Sequence, residues 1–401
     1  MKNSINDPVV LAAVRTPSGR FLGSLSSFSA TRLGSFVVKA VVERAGVTNP
    51  AEIDEVIMGN VVSAGLGQAP ARQATLFAGL PVSVGATSIN KVCGSGLKAV
   101  MLAAQAIRAG DGHLFVCGGM ESMSNAPFLV DGRKGTLRFG HAQLTDALLN
   151  DGLWDPFENW GMGDSAEFIA NEYGVTRQAM DEFAYNSHQK AIAAIDNGKF
   201  KAEIVPIEIP VKKGQVTVFD TDETPRRDTT IEMLTGLKPA FQKDGKVTAG
   251  NAPGLSDGAA AVVVASRGKA QEMEIEPLAH IVGYSQAAVE PKYLFAAPAK
   301  AVPMLIEKIG WSLQDADLIE LNEAFAAQVL ADGYLMADMG WDWAKVNVNG
   351  GAIALGHPIG ASGARLLTTL IYALKDRGLR KGIASLCLGG AEAVAMAIEL
   401  E

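Results

Sequence analysis

Two parts of this 401-residue chain repeat one order of elements, and that repeat limits the fold more than any other feature. In the first part a strand over 54–60 ends on Asn60, and in the second a strand over 317–321 leads into Asn322. Gly94-Ser95-Gly96 opens a helix in one part, and Ala361-Ser362-Gly363 opens its counterpart. An apolar strand then runs into Gly118-Gly119-Met120-Glu121, and its later match runs into Gly389-Gly390-Ala391-Glu392. Further apolar strands at 9–14, 259–265 and 279–284 alternate with helical patterns at 33–45, 72–79, 299–309 and 362–376. Such alternation predicts an α/β fold with a sheet covered on both faces, here a duplicated α/β domain whose two copies meet.

Between the copies the texture changes. From Met123 to about Asn251, charges, Gly, Asp and Pro become frequent, as in Asp131-Gly132-Arg133-Lys134-Gly135. One helix is expected there over 176–197, with Gln178, Asp181 and Glu182 on its polar side and Phe183, Ala184, Ile192 and Ile195 inside. A structureless loop of this length is uncommon, so the stretch reads as an inserted loop domain or lid. The expected organisation is an N-terminal α/β domain over 1–122, an insertion over 123–251, the rest of the first domain over 252–274, and a C-terminal α/β domain over 275–401.

Composition excludes several classes. Apolar residues make up 48% and charged residues 19%, which suits a compact chain and not a disordered one. No run of eighteen apolar residues occurs, and Met1 to Pro8 lacks the basic and apolar regions of a signal peptide. Three cysteines without a spaced framework suit a reducing compartment, so a cytoplasmic protein is expected. A net charge of −8 argues against a general binder of nucleic acid or membrane surfaces. It leaves room for an anionic small substrate held by a local basic patch. No CxxC pair, HExxH, Walker A or GxGxxG stretch occurs, so neither a metal nor a nucleotide cofactor is expected.

The chemistry gathers at predicted strand ends, where open α/β sheets place their sites. Cys93 sits in the turn between a β-leaning segment over 87–92 and a helix begun by Ser95, where free N–H groups and the helix dipole would favour a thiolate. A free cysteine packed as a small hydrophobe under a helix fits the same stretch. His357, held between Gly356 and Pro358, and Cys387, at the end of Ala384-Ser385-Leu386, carry the same pair of readings. His113, His141, His188 and His280 lack such a context and read as surface or satisfied core residues, and Cys117 reads as core.

Taken together, Val92-Cys93-Gly94-Ser95-Gly96, Asn322-Glu323-Ala324-Phe325, Gly356-His357-Pro358-Ile359-Gly360 and Cys387-Leu388-Gly389-Gly390 resemble the four signature blocks of the thiolases. Gly119 to Ser124 and Thr248-Ala249-Gly250-Asn251 fit as well, so the similarity spans nearly the whole chain. The resemblance implies a five-layered αβαβα core with an inserted loop domain, and a dimer, often a dimer of dimers. It implies tetramer contacts in the segment Met123 to Phe139, with Arg133, Lys134 and Arg138.

The resemblance also implies roles for individual residues. Cys93 would attack a thioester carbonyl and hold the acyl group, and His357 would take its proton. Asn322 would hold a water at an oxyanion site, and the backbone N–H groups of Cys93 and Gly389 would form the other one. Cys387 would move the α-proton. Arg226 would lie near the nucleotide of coenzyme A, although Arg226-Arg227 also reads as a solvated turn. Phe241, Ala249, Ala324 and Phe325 would line the pantetheine channel, with Met162 at the acyl pocket. Coenzyme A thioesters would be substrates, with no cofactor beyond them.

The chain departs from the best-known biosynthetic members at Gly161 for a histidine, Pro253 for a serine, Ala391 for a glycine, and Leu294-Phe295 for Met-Gly. These differences bear on the acyl chain accepted. A decarboxylating ketoacyl synthase-like enzyme lacks the second catalytic cysteine that Cys387 supplies. A non-catalytic acyl-CoA carrier would be expected to have lost one of Cys93, Asn322, His357 and Cys387.

Overall fold

The computed structural model describes residues 4–132, 139–211 and 214–401. Among the described residues nine strands follow one path in a single sheet, with the short Gly19–Arg20 strand paired beside it. The order across the first half is Gly85–Ile89, Glu55–Gly59, Leu114–Ser122, Ser256–Ser266 and Pro8–Arg15. The second half repeats it inward from its own edge as Leu318–Leu321, Lys381–Leu388, Glu392–Leu400 and Ala279–Ala288. Relative to the first half, one strand is reduced to a single parallel bridge between Ile319 and Val346. The innermost strands of the halves join antiparallel through Val9 opposite His280 and Val10 opposite Ala279. The repeat seen in the sequence is therefore a repeat of topology.

Apolar residues on both sides of these strands demand cover on both faces. Helices Ala30–Arg44 and Pro70–Phe77 cover the outer face of the first half, and Pro298–Ile309 covers that of the second. Between the halves lie the helices Ser95–Ala109 and Ser362–Arg377, in one core cluster with strands of both. Helix, sheet, helix, sheet, helix make five layers. Leu97, Val100, Met101 and Ile107 of the first central helix are fully covered, each worth roughly 1.5–3 kcal/mol of burial. The two central helices nearly touch at their starts: a Cβ on Gly96 would lie 2.7 Å from Ala364 N, and one on Gly363 would lie 2.4 Å from Leu97 N. That close approach explains why both halves place glycine at the same point of the repeat.

The chain leaves the sheet at Ser122 and returns at Ser256. The intervening stretch carries the expected helix as Arg177–Asp196, capped by Thr176, whose side chain accepts from Ala179 N. Asp181, expected on the polar face, is instead buried, where it takes a hydrogen bond from Asn251 Nδ2 at 2.9 Å and pairs with Arg177 at 2.7 Å. A polar side chain can sit inward when its partners come with it. Two helices left unread in the sequence, Met162–Glu172 and Ala326–Leu335, share a further cluster that backs the candidate site. Arg133, Lys134 and Arg138 lie outside the described residues. No helix among the described residues is long and apolar enough to cross a membrane.

Candidate active site

The turn holding Cys93 is built by its own neighbours. Ser95 Oγ accepts from Lys91 N at 2.8 Å and donates to Val92 O at 2.7 Å, closing the turn before the helix starts. Val92 is driven to φ +46°, a region that β-branched residues avoid and that costs on the order of 1–3 kcal/mol. The facing turn joins the strands Lys381–Leu388 and Glu392–Leu400, and its Gly390 and Ala391 take φ of +83° and +62°. It brings the backbone N–H of Gly389 to hydrogen-bond Cys93. Cys387, buried on the strand leading into that turn, faces the same cavity.

His357 enters from the loop between Gly356 and Gly360. That loop is anchored by the buried carboxylate of Glu121, which accepts from Gly360 N at 2.9 Å, Val61 N at 3.0 Å and Asn60 Nδ2 at 2.8 Å. Ser362 Oγ gives its proton to Pro358 O at 2.9 Å, so at its 2.6 Å contact with His357 Nδ1 it must accept. Nδ1 thus carries the hydrogen, and Nε2 is left as the acceptor. Asn322 Nδ2 lies 3.5 Å from that Nε2. The backbone of Asn322 is pinned by Ser385 O at 3.0 Å, and its buried Oδ1 has no partner among the described residues.

Burial sets the proton affinities. It pushes the Cys93 thiol up to about 12 against the hydrogen bonds from Gly389 and from its own backbone N–H, which favour the thiolate. The helix start was expected to yield a thiolate, but desolvation outweighs it. Because Cys93 is only partly covered, water in an open cavity tempers that rise. Burial, with Arg365 adding to it, pushes His357 down to about 3, so the imidazole is neutral. Cys387 is likewise driven well up by burial. Thiol, neutral imidazole and thiol suit proton transfer during reaction better than a standing ion pair.

These groups meet at a mainly apolar cavity of 550 Å³. Cys93, His357, Cys387 and Gly389 line it, as do Met162, Arg226, Phe241, Ala249, Ala324 and Phe325. Asn322 stands behind His357. Gly163 leaves space for the Phe241 ring, since a Cβ there would lie 2.2 Å from it. Phe241, Phe325 and Phe295 form a row of edge-to-face rings with centroids 6.2 and 5.4 Å apart. Arg226 is exposed, and its backbone N–H donates to Nδ1 of the buried His188 at 3.2 Å. Its neighbour Arg227 is the one tied up at the surface, by Asp196 at 2.6 Å.

Sequence reasoning passed over Leu149, Leu153, Trp154 and Ile359 in the cavity wall, and Ser362 behind His357. For Ser362 a signal existed: a serine five residues beyond a histidine, at the opening of a helix. Among the described residues no group of three or more His, Cys, Asp or Glu side chains is placed to hold a metal ion.

A duplicated five-layered α/β core with two thiols and a neutral imidazole at the junction of its halves defines the class. The chain belongs to the thiolase family: residues 8–268 match the thiolase N-terminal domain and 275–400 the thiolase C-terminal domain. It is similar to the acetyl-CoA acetyltransferase of Cupriavidus necator, at 54% identity over 98% of this chain and 100% of that protein. It is similar as well to the acetyl-CoA acetyltransferase of Pseudomonas aeruginosa, at 52% identity over 98% and 99%. The crystal structure of the Bacillus anthracis acetyl-CoA acetyltransferase superposes with a TM-score of 0.94 at 46% identity, covering 98% of this chain and 99% of that one.

Proposed function

We propose that this protein is an acyl-CoA C-acyltransferase that cleaves 3-ketoacyl-CoA with CoA, or condenses two acyl-CoA molecules in reverse. The observation that carries the reading is the convergence of Cys93, His357, Cys387 and the Gly389 backbone at one apolar cavity. In thiolysis, Cys93 Sγ attacks the 3-keto carbon while its proton passes to His357 Nε2. The N–H groups of Cys93 and Gly389 stabilise the oxyanion. When that oxyanion collapses, the bond between C2 and C3 breaks and its electron pair moves onto C2. Cys387, held as a thiol by burial, gives C2 its proton. The incoming CoA thiol hands its proton to the Cys387 thiolate and attacks the acyl-enzyme. Cys93 then leaves and recovers its proton from His357. Asn322, with its unpartnered Oδ1, holds a water that supports the enolate oxygen of the second thioester.

The aromatic row of Phe241, Phe325 and Phe295, with Ala249 and Ala324, forms the pantetheine channel, and Arg226 meets the nucleotide end. Met162 borders the acyl group. The thioester is substrate, so the reading calls for no resident cofactor. A homodimer forms along the sheet edge at Gly85–Ile89, whose five residues are all exposed or partly exposed. The exposed Phe128, Val130 and Leu144 support a dimer of dimers. The protein acts in the cytoplasm.

The test is thiolysis of 3-ketoacyl-CoA substrates from four carbons to long and branched chains, on wild type and Cys93→Ala. Turnover that vanishes in the variant is expected, and the preferred length reports on Gly161, Pro253 and Leu294. No turnover on any substrate, with folded protein still binding CoA, would leave a carrier instead.

A further inference from the structure

We propose that Lys91 and Glu392 are positioning residues: their ion pair, formed across the two halves, locks the two turns that aim the Cys93 and Gly389 N–H groups at one point. The inference rests on the function proposed above and adds residues that the catalytic scheme does not use.

The pair joins positions 301 residues apart, one in each half of the repeat. Lys91 directly precedes Val92, and Glu392 directly follows Ala391; both neighbours hold positive φ without being glycine. Backbone in this region relaxes unless its surroundings over-determine it. Each turn therefore has an internal reason to move, and the ion pair grips each beside its strained residue. The roots of the pair are firm. Lys91 N is held by Ser95 Oγ at 2.8 Å, and Glu392 is in strand register opposite Leu388.

The turns also touch directly. A Cβ on Gly389 would lie 3.1 Å from Val92 Cγ1, and one on Gly94 would lie 2.5 Å from Leu388 Cδ2. Packed this closely, a displacement of one turn is passed to the other. The Lys91 and Glu392 side chains are 24% and 27% exposed, so the pair is shielded enough to hold geometry and open enough to feel salt. Lys98, in the first turn of the helix begun by Ser95, donates to Gln286 Oε1 at 3.2 Å and makes a second tie between the halves. It does not reach either turn's strained residue.

The experiment uses the full-length protein with Lys91→Met, Glu392→Gln and the swapped double variant K91E/E392K. Two rates are read: thiolysis kcat and KM, and alkylation of Cys93 by iodoacetamide near pH 8. The expected result is a kcat lower by about tenfold in both single variants, part of the 10²–10³ lost with a whole oxyanion donor. KM is expected to stay within about twofold, and alkylation to slow severalfold in both because the Gly389 N–H no longer supports the thiolate. The swap is expected to recover at least half of each loss. A through-space charge effect would instead have opposite signs, slowing alkylation in Lys91→Met and speeding it in Glu392→Gln. That result would overturn the proposal, as would single variants within about twofold of wild type in both rates. So would a swap that restores the unfolding midpoint but neither rate. If wild type cleaves no 3-ketoacyl-CoA, the proposed function fails, and the alkylation rates still decide the role of the pair.

Discussion

His357 Nδ1 lies 2.6 Å from Ser362 Oγ, and the serine proton is already committed to Pro358 O, so a residue at the mouth of a central helix decides which ring nitrogen carries the hydrogen. Replacing Ser362 by Ala leaves a buried Nδ1–H without its acceptor, at a cost of about 1–3 kcal/mol. The ring is then free to change tautomer. The expected outcome is a kcat reduced about tenfold or more with KM little changed, measured by thiolysis, together with a lower unfolding midpoint.

The pH dependence follows from the directions of the shifts. With the Cys93 thiol raised to about 12, its thiolate fraction stays below that of an ordinary cysteine at neutral pH. Alkylation of Cys93 should therefore climb with pH through the alkaline range. With His357 lowered to about 3, no step should appear near the usual histidine value. A rate that levels off below neutrality would mean a preformed thiolate–imidazolium pair. The same shift acts on stability: the unfolded chain protonates this imidazole below about 6.5, the folded one only near 3. The contribution of neutral His357 is thus complete above 6.5 and is lost as the pH falls through that window, which acid unfolding monitored by circular dichroism checks.

Gly163 sets the place of the Phe241 ring. A methyl group there meets the ring at 2.2 Å, and since Phe241 is 47% exposed it can swing outward at little cost to the fold. Gly163→Ala should raise KM for the CoA substrate about tenfold through loss of the aromatic row, with kcat within a few-fold of wild type.

Ala391 holds a left-handed conformation at φ +62° that glycine adopts freely. Ala391→Gly relieves a strain of roughly 1–2 kcal/mol and returns part of it as greater freedom of the unfolded chain. A net gain of about 0.5–1 kcal/mol in chemical denaturation is expected.

Much of this was legible in the sequence because the strands that lead into Asn60 and Asn322, and the glycines opening both central helices, obey periodic rules that backbone geometry enforces. Cys93 and His357 stood out because glycine and proline around them mark turns. The proton affinities were not legible. A helix start favours a thiolate locally, but the apolar cluster around Cys93 comes from Met123, Leu148 and Ile359, far along the chain, and their burial of the thiol reverses the sign. Asp181 was misplaced for the same reason, since its partner Asn251 is seventy residues away. The helices Met162–Glu172 and Ala326–Leu335 escaped notice because they bury small side chains such as Ala166, Ala170, Ala327 and Ala331, which give little periodic contrast.

The most direct test of the central claim is to mix the protein with acetyl-CoA, quench in acid, and map the acylated residue by peptide mass spectrometry. One acetyl group per chain is expected on the peptide carrying Cys93, removed by added CoA, absent in Cys93→Ala, and formed more slowly but on the same residue in Cys387→Ala, where the nucleophile stays and the proton for the departing CoA and for C2 is lost. An acetyl group on Cys387 instead, or none on either cysteine while turnover proceeds, would contradict it.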